Sequence, residues 1–327
     1  MAKDMTSGKP VKLIWNFTIP LLIGNLFQQL YNMADTFIVG RTIGVQALAA
    51  VGSTGSIVFL IIGFATGLTA GLAIPLAQRF GAKDYKGVKH SFYVSILISI
   101  AVAIVLTALS MIFCRQILEI MQTPSEIIDG AYDYLIVIFG GIFSSMAYNL
   151  LSNIFRSIGD AKTPLYFLVM ACVMNIILDI VFIAVFGMGV EGAGYATVLS
   201  QIFSAVACVV YIWKKIPVLR LTKDDLVATK RNIREHCRIS FPMAFQASII
   251  AIGTIMVQIA LNQLGPTSVA AHTAAQKIDQ LAILPMMSFG VTMATYSAQN
   301  FGAKKYDRIW LGVRECIKLS LTFAIVV

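Results

Sequence analysis

Apolar residues in this chain come in runs of about 20 or more, separated by short polar stretches, and that is the pattern of bilayer-crossing helices. It predicts nine helical segments, at 12–39, 47–76, 91–113, 131–155, 164–186, 191–213, 239–263, 267–297 and one starting near 309. The second and eighth exceed one crossing, so they are expected to tilt or to extend beyond the lipid. The first follows a basic start at Lys3, Lys9 and Lys12 but carries Asn16, Asn25, Gln28, Gln29 and Asn32. It reads as a retained helix with a polar inner face, since a cleaved leader would be shorter and more uniformly apolar.

Composition agrees: 58% of residues are hydrophobic and 13% charged, outside the soluble range. The formal charge of +9 would suggest nucleic acid in a soluble protein. Here 21 of the 25 Lys and Arg fall in the N-terminus and in the connectors after segments 2, 4, 6 and 8. Basic residues on alternate connectors are a topology signal, which puts the N-terminus and those connectors in the cytoplasm and leaves no nucleic-acid partner to invoke. The five cysteines are scattered, with no spacing that suggests a metal or a disulfide framework.

One stretch recurs. Ala77-Gln78-Arg79-Phe80-Gly81-Ala82-Lys83-Asp84-Tyr85 returns as Ala298-Gln299-Asn300-Phe301-Gly302-Ala303-Lys304-Lys305-Tyr306, with seven of nine residues kept at an offset of 221. Six segments separate the copies, so both face the same side and the repeat is parallel. The expected fold is an all-α polytopic membrane protein of two parallel six-helix repeats, a twelve-helix design of which this chain covers about nine. The expected organisation is an N-lobe over 1–213, a basic cytoplasmic linker over 214–238 and a partial C-lobe over 239–327.

Ionisable residues inside membrane helices are costly and therefore candidates for function. Segments 1 and 5 hold Asp35 and Asp179, and Asn175 lies four residues before Asp179, on the same helical face. Counting about 1.5 Å per residue from the cytoplasmic ends places Asp35, Asp179 and Thr197 in the outer half of the first lobe. Two carboxylates sharing a low-dielectric site cannot both ionise cheaply, so a shared proton near neutral pH is feasible. The same oxygens, with an amide and a hydroxyl, could ligate sodium. A purely structural polar network between helices is the competing reading.

Three motifs carry a family resemblance. Gln28-Gln29-Leu30-Tyr31-Asn32-Met33-Ala34-Asp35-Thr36, Arg156-Ser157-Ile158-Gly159-Asp160-Ala161-Lys162-Thr163-Pro164 and Asn175-Ile176-Ile177-Leu178-Asp179 resemble helix 1, the helix 4–5 turn and helix 5 of the multidrug and toxic compound extrusion (MATE) family. The resemblance covers the whole chain and is strongest to the DinF-like prokaryotic branch. It implies secondary active efflux of cationic, amphipathic compounds by alternating access, with inward H+ or Na+ as the coupling ion and no cofactor. It also implies a multi-pass protein of a bacterial or archaeal cytoplasmic membrane, acting as a monomer. By the same resemblance Asp35, Asn175, Asp179 and Thr197 correspond to the cation site. The chain departs from other branches at segment 7, which has Gln246 and no carboxylate.

Gln28, Tyr31, Gln246, Gln276, Asp279 and Gln280 are candidates for a substrate cavity; Gln276, Asp279 and Gln280 share one face of segment 8. A flippase for lipid-linked anionic precursors would need cavity Lys or Arg, which segments 1–6 lack within their apolar spans. A non-transporting membrane scaffold is the remaining alternative. There is no phosphate-cradling Gly-x-x-x-x-Gly-Lys-Ser/Thr loop and no nucleophile–base pair to suggest an enzyme.

Overall fold

The structure, a computed structural model, describes residues 3–121, 123–263 and 266–326, excluding the side chains of 45, 255, 258, 259, 261–263, 266–271, 273, 274, 276–278, 280, 281 and 326. All regular structure among the described residues is helical, as expected where lipid offers the backbone no hydrogen bonds. The elements are α1 (Pro10–Thr42), α2 (Val45–Gly81), α3 (Tyr85–Ile112), α4 (Cys114–Ile120), α5 (Ile128–Gly140) and α6 (Ile142–Ser157). They continue with α7 (Lys162–Asp179), α8 (Val190–Lys215), α9 (Lys230–Gln263), α10 (Pro266–Gly302) and α11 (Tyr306–Val326).

Helix starts follow local chemistry. Pro10 opens α1, where its missing N–H costs nothing, and the Asp84 side chain caps α3 by accepting from Gly87 N–H at 2.9 Å. Three departures from the predicted segments have physical causes. The fourth segment is broken: α5 and α6 meet at 48° across Gly140-Gly141, where Val198 of α8 occupies the space a β-carbon on Gly141 would need. The fifth changes register immediately after Asp179 into a π-helical turn, Ile180–Val185. The seventh begins early, at Lys230, so the last nine residues of the 214–238 stretch are helical, its first two close α8, and two short 3-10 turns lie between.

The spine of the fold is α2. One side packs on α3, α5 and α6 around Leu68, Leu72, Leu76, Phe139, Met146 and Phe155; the other packs on α9 and α10. Gly67 and Gly71 bring the α2 backbone directly against Met243 and Ser240 of α9. The junction between α1 and α10 is polar instead, with Thr18 Oγ1 2.8 Å from Thr292 Oγ1 and Asn25 Nδ2 donating to Ser288 Oγ at 3.0 Å.

The recurring stretch folds the same way twice. After α2, Ala82, Lys83 and Asp84 N–H donate to the carbonyls of Gln78, Phe80 and Arg79, each at 3.0 Å. After α10, Ala303, Lys304 and Lys305 donate to Gln299, Phe301 and Asn300 at 3.0, 3.0 and 2.9 Å. Lys83 and Lys304 both take the left-handed conformation, φ +59° and +58°, that this helix ending requires. Residues 3–8 then tie the α10 end to the end of α6. Lys3 N–H donates to Ile158 O and Met5 N–H to Gln299 Oε1, both at 2.9 Å, while Gln299 Nε2 donates to Ser157 O at 2.8 Å.

Candidate functional site

Asp35 on α1, Asn175 and Asp179 on α7 and Thr197 on α8 converge inside the first six-segment unit. Asn175 and Asp179 are fully buried. Helical spacing puts Asn175 one turn from Asp179, and its amide is oriented by its neighbours. Nδ2 donates to Asp179 Oδ2 at 2.9 Å and Oδ1 accepts from Thr197 N–H at 3.1 Å; the opposite orientation would set oxygen against oxygen. Tyr31, one turn before Asp35, joins through its hydroxyl, 3.1 Å from Thr197 Oγ1.

Two acceptors are left over. Asp35 Oδ1 and Asp179 Oδ1 are buried without a hydrogen-bond partner among the described residues. The two carboxylates lie within electrostatic reach of each other, and Tyr31 and Tyr134 lie within reach of both. Buried polar atoms are ordinarily paired, so unpaired acceptors of like charge are atoms that a proton or a small cation could satisfy. The π-helical turn starting next to Asp179 fits that reading, because such turns concentrate where helices do chemistry.

A cavity of about 240 Å³ adjoins this network and shares Tyr31 with it. Gln28, Thr66, Ser145, Tyr148, Asn149, Ser200 and Gln201 supply its polar lining with Tyr31, and among the described residues no Lys, Arg, Asp or Glu lines it. Of the residues proposed from sequence for a cavity, Gln28 and Tyr31 are therefore here. Gln246 and Asp279 are exposed on α9 and α10 and do not line it; the side chains of Gln276 and Gln280 lie outside the described residues. Tyr134, Asn149 and Gln201 were not singled out from sequence. Their signal was polarity inside an apolar run, which is weak for single uncharged residues.

Residues 20–181 and 242–327 match the MatE family model. The chain belongs to the MatE family. Its similarity to a protein named probable multidrug resistance protein YpnP, from Bacillus subtilis (strain 168), is 29% identity over 314 residues, covering 94% of this chain and 69% of that one. A protein named FAD transporter, from Shewanella oneidensis, is 24% identical over 321 residues, covering 96% and 70%. Among solved structures, a MOP superfamily transporter from Pyrococcus furiosus superposes with a TM-score of 0.90 at 27% identity, covering 96% of this chain and 70% of that chain. That protein is described as having a binding pocket of reverse polarity that suggests a different function. As a MatE protein this chain is an all-helical, multi-pass membrane transporter and not an enzyme, it works by ion coupling, and its relatives imply small-molecule substrates.

Proposed function

We propose that this MatE protein exports cationic, amphipathic small molecules, exchanging them for H+ or Na+ taken up by Asp35, Asn175, Asp179 and Thr197. The observation that carries the reading is the pair of buried, unpartnered oxygens, Asp35 Oδ1 and Asp179 Oδ1, beside an amide already committed to Asp179 and Thr197. A proton would satisfy one of them as a donor; a sodium ion would draw on both, with Thr197 Oγ1 close by. Either ligand neutralises charge in a site that cannot hold two free carboxylates cheaply. The neighbouring cavity, polar but without fixed cations, favours a positively charged cargo over a phosphate-bearing one.

In this reading the N-terminus is cytoplasmic, residues 1–213 form the ion-coupled lobe, 214–238 link it to the lobe that begins at 239, and the working unit is a monomer. The test is transport of a cationic dye by the protein in liposomes under separately imposed H+ and Na+ gradients. Transport should follow one gradient and be lost in Asp35→Asn and Asp179→Asn proteins that still insert in the bilayer. Undiminished transport in both variants would overturn the ion site, and export of an anionic cargo in place of the dye would overturn the substrate class.

A further inference from the structure

On the side of α6 away from the Tyr31 cavity lies a groove of about 370 Å³. The two share no lining residue: Ser145, Tyr148 and Asn149 of α6 line the cavity, whereas Met146, Ala147 and Leu150 line the groove. Its walls are α3 from Phe92 to Ala103, α6 and the last turns of α8, and among the described residues Ser99 and Arg220 are the only ones with a hydroxyl or charged side chain lining it. The twelve residues from Phe92 to Ala103 of α3 rise about 16 Å, close to half of the ~30 Å hydrocarbon core and so to one acyl chain of one leaflet.

The mouth has a different character. After α8 the chain folds back through the 3-10 turn Pro217–Leu219, burying Ile216 and Leu219, and delivers Arg220 to the groove. Arg220 Nη2 donates to the backbone carbonyl of Lys214 at 3.0 Å, which ties the guanidinium to the last turn of α8, where Lys214 and Lys215 follow Trp213 in the chain. None of these three cations forms an ion pair among the described residues, whereas Arg79, Lys89 and Arg115 all do. Trp213 lines the same mouth. An apolar slot one acyl chain long, ending in an aromatic ring and unpaired basic groups at the edge of a span, matches an anionic phospholipid end to end.

We propose that this groove binds one anionic phospholipid, its acyl chain lying between α3, α6 and α8 and its phosphate held by Arg220, Lys214 and Lys215. The site needs only a bilayer around the protein and is independent of the transport reading. Because α6 separates lipid from cavity, the bound chain backs the wall of the transport site.

Trp213 offers the test, and Trp310 the control: they are 70% and 69% exposed, but Trp310 sits on α11, away from the groove. The full chain carrying Trp15→Phe and Trp310→Phe is placed in bilayers with bromine on the acyl chains of either phosphatidylglycerol or phosphatidylcholine. At equal mole fraction, the brominated anionic lipid should quench Trp213 about threefold or more over the zwitterionic one, as expected for several basic groups acting together. Trp310 alone (Trp15→Phe, Trp213→Phe) should show no such preference. Arg220→Gln should reduce the Trp213 preference, and Arg220→Gln with Lys214→Gln and Lys215→Gln should abolish it. Equal quenching of Trp213 by both lipids, an equal preference at Trp310, or a preference that survives the triple substitution would each overturn the site.

Discussion

Gly81 and Gly302 are two halves of one contact. A β-carbon on Gly81 would run into the carbonyl of Gln299, and a β-carbon on Gly302 would run into the carbonyl of Gln78. Residue for residue, this is a local two-fold relation between the two copies of the recurring stretch, made at the crossing of the α2 and α10 ends. Glycine is required on both sides because backbone meets backbone there.

Gly81→Val and Gly302→Val should each lower stability by about 1–3 kcal/mol through overpacking, and by similar amounts because the environments match. The double variant should fall short of the sum, since the first substitution already separates the helix ends. Thermal unfolding in detergent reads both effects.

Asn175→Ala should cost more than Thr197→Val. The alanine leaves Asp179 Oδ2 buried without its amide donor, a loss of about 1–3 kcal/mol, whereas the valine keeps the Asn175–Asp179 bond and forfeits only the hydroxyl contact with Tyr31, about 0.5–1.5 kcal/mol. Denaturation midpoints of the two variants decide the order.

Arg79 donates to Gly87 O at 3.1 Å, Asn232 Oδ1 at 3.0 Å and Glu235 Oε2 at 2.9 Å, tying the α2–α3 connector to the start of α9. A lysine keeps the charge but cannot span three acceptors, so Arg79→Lys should lose about 1 kcal/mol, moderated by the partial exposure of Glu235. Faster amide hydrogen exchange over 230–236 is the expected signature.

Asp225 lies outside the spans, and its carboxyl is held well below the usual carboxylate range by the Thr222 hydroxyl, then by Lys89 and the Thr222 N–H. A carboxylate depressed in the folded state stabilises at pH values above its unfolded value of about 3.9 and loses that contribution as pH falls below it. Asp225→Asn should therefore flatten the acid limb of the stability curve below about pH 4 and leave its shape near neutrality unchanged. Unfolding midpoints across that range check the sign.

The sequence by itself determined the helical, multi-pass character, the recurrence at offset 221 and the pairing of Asn175 with Asp179 on one helical face. Each of these depends only on apolar run length, on identity or on helical periodicity, which act along the chain. The tertiary structure decided the rest. The break at Gly140-Gly141 follows from Val198 arriving from α8, and Thr197 joins the carboxylate network through its backbone N–H, which no side-chain pattern announces. The two lobe junctions also differ where the recurrence would make them alike. Gly71 meets Ser240 with backbones in contact, while Thr292, which matches Gly71 at offset 221, is joined to Thr18 by a hydroxyl hydrogen bond. Side-chain size at those crossings is legible in sequence, but which helices cross there is set only when the two units pack.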